Sequence, residues 1–443
     1  MPEIAPGRFV RYAGVSDLTP LVCPPYDVID DAGRAELEAK SPDNFVRLIL
    51  PRDQPGDEPL DRYVRARALL DQWLASGVMA RDAEPSLFLL EQVFVDPITG
   101  DQRVRRGIQA LVKLREFSEG IILPHERTLS GPKADRLELM KAVRAHLSPI
   151  FILYPDEQNE VLAPLAGLTR ARTHGDSPTV WADAAGATHY AWRITDPEVI
   201  AGLTERLASR KGYIADGHHR YETALQFRKL ARSEGRAVEG TSLDYIPAFL
   251  CGMSDPGLVI FPTHRLVHGL DVDVEDLLRR ASPFFTSRTV DANIETDDGR
   301  KHALAMLDEA ARTTNAMLLV DRAGLPRLLT LVGNPPLDAI KGFPPASSPL
   351  RQLDVTVLHS IVFEHLLGMS RESQEKQINL RYEKDGKRAI TRVRSGEVGL
   401  SFLLPPTRMR EVRAVAEAGE VMPQKSTYFY PKIIDGLGLQ LLD

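Results

Sequence analysis

The sequence predicts a mixed α/β protein in two parts. Short apolar runs such as Ile150–Tyr154 and Ala316–Val320 have the length and composition of buried strands. Longer stretches between them place apolar residues at i, i+3 and i+4, the spacing of amphipathic helices. Glycine and proline mark the joints, and neither an internal repeat nor a low-complexity tract interrupts the pattern.

The elements follow in order. Pro24 and Pro25, in the segment CPPYDVI, force extended backbone and forbid a helix. Residues 62–76 read as a helix with Val64, Leu69, Leu70, Trp73 and Leu74 apolar and Gly77 as its stop. Residues 87–96 and 103–115 read as a hairpin around Pro97, Gly100 and Asp101. A helix opens at Lys133 or Asp135, carries Leu137, Met140 and Val143, and is ended by Pro149. The strand 150–154 follows. Strand 188–194 and helix 197–209 lead to a strand ending at 213–215. Asp216-Gly217 is a turn, and a helix runs from His218 to about Arg232. Strands 246–251 and 258–261 follow. Beyond lie a helix at 300–311, strands at 316–320 and 328–332, and a proline-rich connector at 334–349. A helix at 355–367 is expected to be capped by Asp354 and closed by Gly368. Strands at 389–393 and 398–404, a helix at 408–418 and an extended tail, MPQKSTYFYPK, finish the chain. A boundary within 255–263 gives domains of 1–257 and 258–443.

Composition narrows the function. The 443 residues are 43% hydrophobic and 26% charged, an ordinary globular balance. A net charge of -6 argues against a broad nucleic-acid surface, which needs a basic face, and leaves room for a local phosphate pocket. Cys23 and Cys251 lie far apart in sequence, form no zinc spacing and require no disulfide; a reducing, cytoplasmic setting is expected. MPEIAPGRFVRYAG lacks a signal-peptide core, and no apolar run reaches membrane-span length, so no membrane partner is expected.

The strongest functional signal is YIADGHHRYETA, residues 213–224. A strand, a sharp turn at Gly217 and the first turn of a helix bring together Asp216, His218, His219 and Arg220. The first N–H groups of a helix lack internal partners and the dipole is positive there, so such an end attracts anions, phosphate above all. Arg220 offers a planar fork for phosphate oxygens, and the histidines offer donors that titrate near neutral pH. Arg220→Ala is expected to remove turnover and leave the fold intact. Against this, Asp216 as a helix cap and the histidines as polar surface remain open. A metal pair of His218 and His219 is disfavoured, because adjacent helix positions point about 100° apart.

Three other clusters carry candidate chemistry. Asp27 is either a catalytic carboxylate on a rigid loop or the cap of a helix beginning near Asp31. Glu126, with Lys133 and Arg136 nearby in sequence, is either a general acid/base suited to phosphate chemistry or part of a charged loop. Lys425, in QKST, lacks the second glycine and the strand-then-helix context of a P-loop; it is either a point charge for phosphate or a surface lysine. His264 and Arg265, in FPTHR, join the phosphate-binding candidates.

The motifs CPPYDVI, LPHERTLSGPKADR, YIADGHHRYETAL, FPTHR and MPQKSTYFYPK resemble an uncharacterised prokaryotic family, domain of unknown function ten-fifteen, from Pro24 to Lys432. The D-G-H-H-R turn further resembles the phosphate-binding motif of the ParB/sulfiredoxin-like superfamily, and most of all its kinases acting on free serine. That resemblance implies a ParB/sulfiredoxin-like phosphate-binding core with an additional C-terminal α/β domain. It also implies Asp216, Gly217, His218, His219 and Arg220 as the phosphate cradle, a nucleotide (ATP or ADP) with Mg²⁺, and a small-molecule acceptor. The general base would be Asp27 or Glu126. A nucleotide-binding or nucleotide-hydrolysing regulatory module without an acceptor is the alternative, and a metal-dependent hydrolase through Asp216, His218 and His219 ranks behind both.

Overall fold

The computed structural model describes residues 2–128, 130–165, 167, 177–235 and 240–442. They form two compact units. The first is Met1–Pro124, Thr128–Val259 and Pro431–Asp443; the second is His125–Arg127 and Ile260–Tyr430. Sequence order had placed His125–Arg127 with the first part and the last thirteen residues with the second; the folded chain exchanges both segments.

The first unit is built on a mixed sheet, nine strands among the described residues. Its order is Ile122–Leu123, Gly212–Asp216, Ile150–Tyr154, Tyr245–Gly252, Gln102–Lys113, Leu87–Val95, Thr188–Ile194 and Thr179–Ala182, with Ile4–Ala5 also on Gln102–Lys113. Gly212–Asp216 runs parallel to Ile122–Leu123 and antiparallel to Ile150–Tyr154. The expected hairpin is there, with Leu87–Val95 antiparallel to Gln102–Lys113. Ile108, Ala110, Ile152, Ile214 and Leu250 pack from the sheet against Leu203 and Leu207 of helix Pro197–Ala208 and against Tyr221, Ala224 and Leu225 of helix His218–Ser233. Helix Asp61–Ser76 buries Tyr63, Ala66, Leu70 and Trp73, a 3.6-residue stripe, and ends on left-handed Gly77. Helix Ser130–Val143 stops well before Pro149: Arg144 turns left-handed (φ 52°) and donates its N–H to the Met140 carbonyl.

The second unit holds a six-stranded antiparallel sheet, ordered Phe285–Thr289, Arg327–Leu331, Ala316–Val320, Leu400–Leu403, His264–Val267 and Leu380–Glu383. Both faces are covered. Met317 and Leu319 enter one core, Ala316, Leu318 and Val320 the other, which is why that strand reads as an unbroken apolar run.

Two expectations fail here. Residues 389–393 are helical, within Gly386–Arg394, not a strand. Their β-branched residues suggested a strand, but Ala389, Ile390 and Val393 share one buried face and Asp385 caps the N-terminus through the Lys387 and Arg388 N–H groups. The helix expected at 355–367 is one α-turn, Asp354–Val357, followed by a π-helix, Leu358–Leu366. Asp354 does not cap it; its carboxylate accepts from the Ala316 N–H (2.9 Å) and from Asn315 Nδ2 (3.1 Å). Gly368 does close it, at φ 69°.

Candidate functional site

The Gly212–Asp216 strand delivers the chain to Gly217, whose φ of 90° and ψ of 25° lie in the left-handed region. A Cβ there would stand 2.8 Å from Ile150 Cγ2 and 3.1 Å from Arg220 Nε. Only glycine satisfies both the backbone and the packing. Helix His218–Ser233 then begins with no side-chain hydrogen bond capping it.

Asp216 is therefore not a cap. Its carboxylate meets Lys432 Nζ at 2.8 Å and Arg220 Nη2 at 3.5 Å, in a triad whose side chains are 16%, 14% and 11% exposed. Burial pushes the carboxyl pKa up, but the charges of Lys432 and Arg220 outweigh it and hold the group well below the usual carboxylate range. So firmly ionised a carboxylate is a poor proton acceptor at neutral pH, and its place is electrostatic rather than that of a general base. Arg220 also donates Nη1–H to the Pro149 carbonyl. Its guanidinium is engaged within the protein, so it braces the turn instead of presenting a free fork, and its removal touches the fold as well as any ligand.

His218 is buried and His219 half-buried. Burial lowers the His219 pKa, Lys133 and Arg220 lower it further, and Glu222 and Asp27 oppose them. His219 is thus a neutral donor at pH 7, not the near-neutral titrating group expected. Asp27 is exposed on the short turn Tyr26–Val28 and acts electrostatically on both His219 and Arg220. It does not cap the next helix; Asp30 does, accepting from the Gly33 N–H at 2.8 Å. Lys133 pairs with Glu222 at 2.8 Å, and Thr128 Oγ1 donates to the same carboxylate at 2.9 Å. Arg136 is 9% exposed, stacks over the Tyr26 ring at 4.3 Å and bonds Asp135 and the Ile49 carbonyl, so it supports the loop carrying Asp27.

The remaining candidates, Glu126, His264, Arg265 and Lys425, belong to the second unit. The Glu126 carboxylate accepts from the Lys425 N–H at 2.6 Å, and Lys425 itself sits at φ 53°. His264 is buried and accepts the Leu404 N–H on Nδ1 at 3.2 Å; burial and Arg265 take its pKa to about 3. Arg265 is 1% exposed. His264 and Arg265 are interior residues rather than surface phosphate ligands.

Lys432, Glu222 and Asp435 were missed. Asp435 is fully buried; Ser148 Oγ donates to its Oδ2 at 2.7 Å, and its Oδ1 has no hydrogen-bond partner among the described residues. Burial raises its pKa to about 7, with Asp27 and Asp216 adding to the rise and Arg220 and Ser148 opposing it. Between the carboxyl's unfolded value of about 4 and its folded value, the native state keeps a proton that the unfolded chain has released. Stability therefore falls as pH rises through that window. Asp435→Asn should remove the penalty, a gain on the order of a few kcal/mol at pH 8 and clearly smaller at pH 5. Urea midpoints at the two pH values measure it, and an equal gain at both would show that Asp435 holds no extra proton.

Among the described residues no group of three His, Cys, Asp or Glu is placed to hold a metal ion, and no helix is long and apolar enough to cross a membrane. Cys23 and Cys251 are buried free thiols. The mixed α/β class read from the sequence is the class of the structure.

No curated protein matches the chain. Among solved structures it is similar to a conserved hypothetical protein from Pyrococcus furiosus (14% identity, 75% of this chain and 95% of that one, TM-score 0.36). It is also similar to a free serine kinase in complex with AMP (15%, 74% and 92%, TM-score 0.36) and to C-terminally truncated SbnI from Staphylococcus aureus (11%, 75% and 87%, TM-score 0.36). The family model described as "Protein of unknown function (DUF1015)" matches residues 4–356, and the chain belongs to that family.

Proposed function

We propose that the protein is a nucleotide-dependent phosphotransferase acting on a hydroxyl of a small metabolite, with the nucleotide phosphate held at the start of helix His218–Ser233. The observation that carries this reading is the helix end itself: a turn that only glycine can make, no side-chain cap, and the charge of Asp216 already neutralised from within by Lys432 and Arg220. His219 adds a donor, and both Lys133 and the exposed carboxylate of Asp27 act on it electrostatically. The D-G-H-H-R likeness to kinases of free serine supports the same assignment.

In this reading Asp27 accepts the proton of the substrate hydroxyl as its oxygen attacks the terminal phosphorus, and the shortened nucleotide leaves. Phosphoryl transfer depends mainly on positioning and on stabilising charge. Mg²⁺ would supply neutralisation of phosphate charge; the donor set fits an ion held chiefly by phosphate oxygens and water, with at most one or two carboxylates, rather than by a protein cage.

Incubation of the full chain with ATP or ADP, Mg²⁺ and a pool of hydroxylated metabolites should give a phosphorylated product by mass spectrometry. Asp27→Asn should lower turnover by about 10²–10⁴-fold with nucleotide affinity retained. Nucleotide binding or free phosphate without a phosphorylated metabolite would replace this reading with a regulatory nucleotide module; absence of nucleotide binding would end both.

A further inference from the structure

The second unit contains a cavity of about 140 Å³, room for about five water molecules. One wall is the π-helix Leu358–Leu366, a rare element that often marks functional positions, and it presents His359 and Ser360 to the space. Thr356, one turn earlier, also lines it. This side chain is 5% exposed, and its Oγ1 has no hydrogen-bond partner among the described residues. A buried hydroxyl left unpaired carries a real cost unless something outside the chain satisfies it.

A buried cation lies beside this cavity. His359 Nδ1 bonds Gln374 Oε1 at 2.7 Å, and Gln374 Nε2 donates to the Met369 carbonyl, so the ring donates through Nδ1–H. His359 Nε2 is then the acceptor for Arg265 Nε–H at 3.1 Å. The other Arg265 partners are the Thr263 and Gln424 carbonyls and the face of Tyr382, and among the described residues this buried guanidinium forms no ion pair. Burial draws its pKa down to about 10, which leaves it cationic at neutral pH. Glu126 favours its charge electrostatically without an ion pair, its carboxylate accepting from the Lys425 backbone N–H. At the rim, Arg127 pairs with Glu375 (3.2 Å) and Arg371 with Glu364 (3.1 Å), each neutral as a pair. A buried guanidinium with no ion pair among the described residues therefore lies behind the His359 floor, while Pro344, Leu350, Val421 and Pro423 supply apolar walls.

We propose that this cavity binds a small organic monocarboxylate, its carboxylate turned toward the Thr356 hydroxyl and the Arg265–His359 floor and its body against the proline-rich walls. One negative charge suits a single buried cation that lacks an ion pair; a phosphate dianion would overshoot it, and a neutral solute would gain nothing from it. The site stands independently of the phosphotransfer reading of the first unit.

Isothermal titration of the full chain with acetate, 2-hydroxybutyrate and benzoate, each against its primary amide, tests the proposal. At least one carboxylate should bind in the millimolar range or better and its amide about tenfold more weakly. Thr356→Val keeps shape and removes only an unpartnered hydroxyl, so it should fold normally and weaken that carboxylate by about tenfold. Failure of all three carboxylates to bind, equal binding of acid and amide, or full affinity in a folded Thr356→Val protein would each overturn it.

Discussion

Asp216→Asn should destabilise the first unit by about 3–5 kcal/mol, the range found when one partner of a buried ion pair is removed. The reason is what remains. Lys432 and Arg220, 14% and 11% exposed, would face each other across an amide that offsets neither charge. The loss should appear as a lower urea midpoint at neutral pH. Its pH dependence has a definite sign. The Asp216 pKa is depressed in the folded state, so its contribution is complete above the usual carboxylate range and fades as pH falls below it. Wild type and variant should therefore converge in acid. A second substitution, Lys432→Met, should recover part of the loss in the Asp216→Asn background, as coupled neighbours do. A loss below about 1 kcal/mol would mean that the triad is solvated like a surface pair.

Gly217→Ala should cost about 2–5 kcal/mol. Roughly 1–2 kcal/mol comes from placing an L-residue at φ 90°, and about 1–3 kcal/mol from forcing a Cβ to within 2.8 Å of Ile150 Cγ2. Gly217→Asn separates the two contributions, because asparagine tolerates left-handed backbone yet carries the same Cβ. Its cost should be smaller than that of alanine by the backbone share alone. If the helix start holds phosphate, both variants should also weaken nucleotide binding out of proportion to their stability, since relief of the overlap moves the amide groups at the helix end. Alanine tolerated without loss of stability would show that Ile150 yields freely.

The strand–turn–helix around Gly217 was legible because every signal in it is local: a buried strand, a turn dipeptide and apolar residues at helical spacing. The same locality explains what was not. Lys432 lies 216 residues from Asp216, and nothing within a window around either one announces the other. The burial of Asp435 is decided by the pairing of its backbone with Cys23, more than four hundred residues away in sequence. Arg265 and His264 stand among the phosphate-binding candidates by their place in FPTHR, and tertiary packing, which no local window shows, encloses them. The helix at 389–393 rests on the Asp385 cap and on one shared buried face, which a short β-branched run does not announce. The π-helix has no periodicity of its own to read in so apolar a stretch as 358–366.

The assignment of Pro431–Asp443 to the first unit has a consequence for biosynthesis. Asp216 and Arg220 emerge from the ribosome long before Lys432 and Asp435 are translated. The nascent turn must wait, its carboxylate lacking one cation, while the whole intervening unit is made. Native geometry at the D-G-H-H-R motif thus comes late in the life of the polypeptide, reached only once synthesis has passed residue 435.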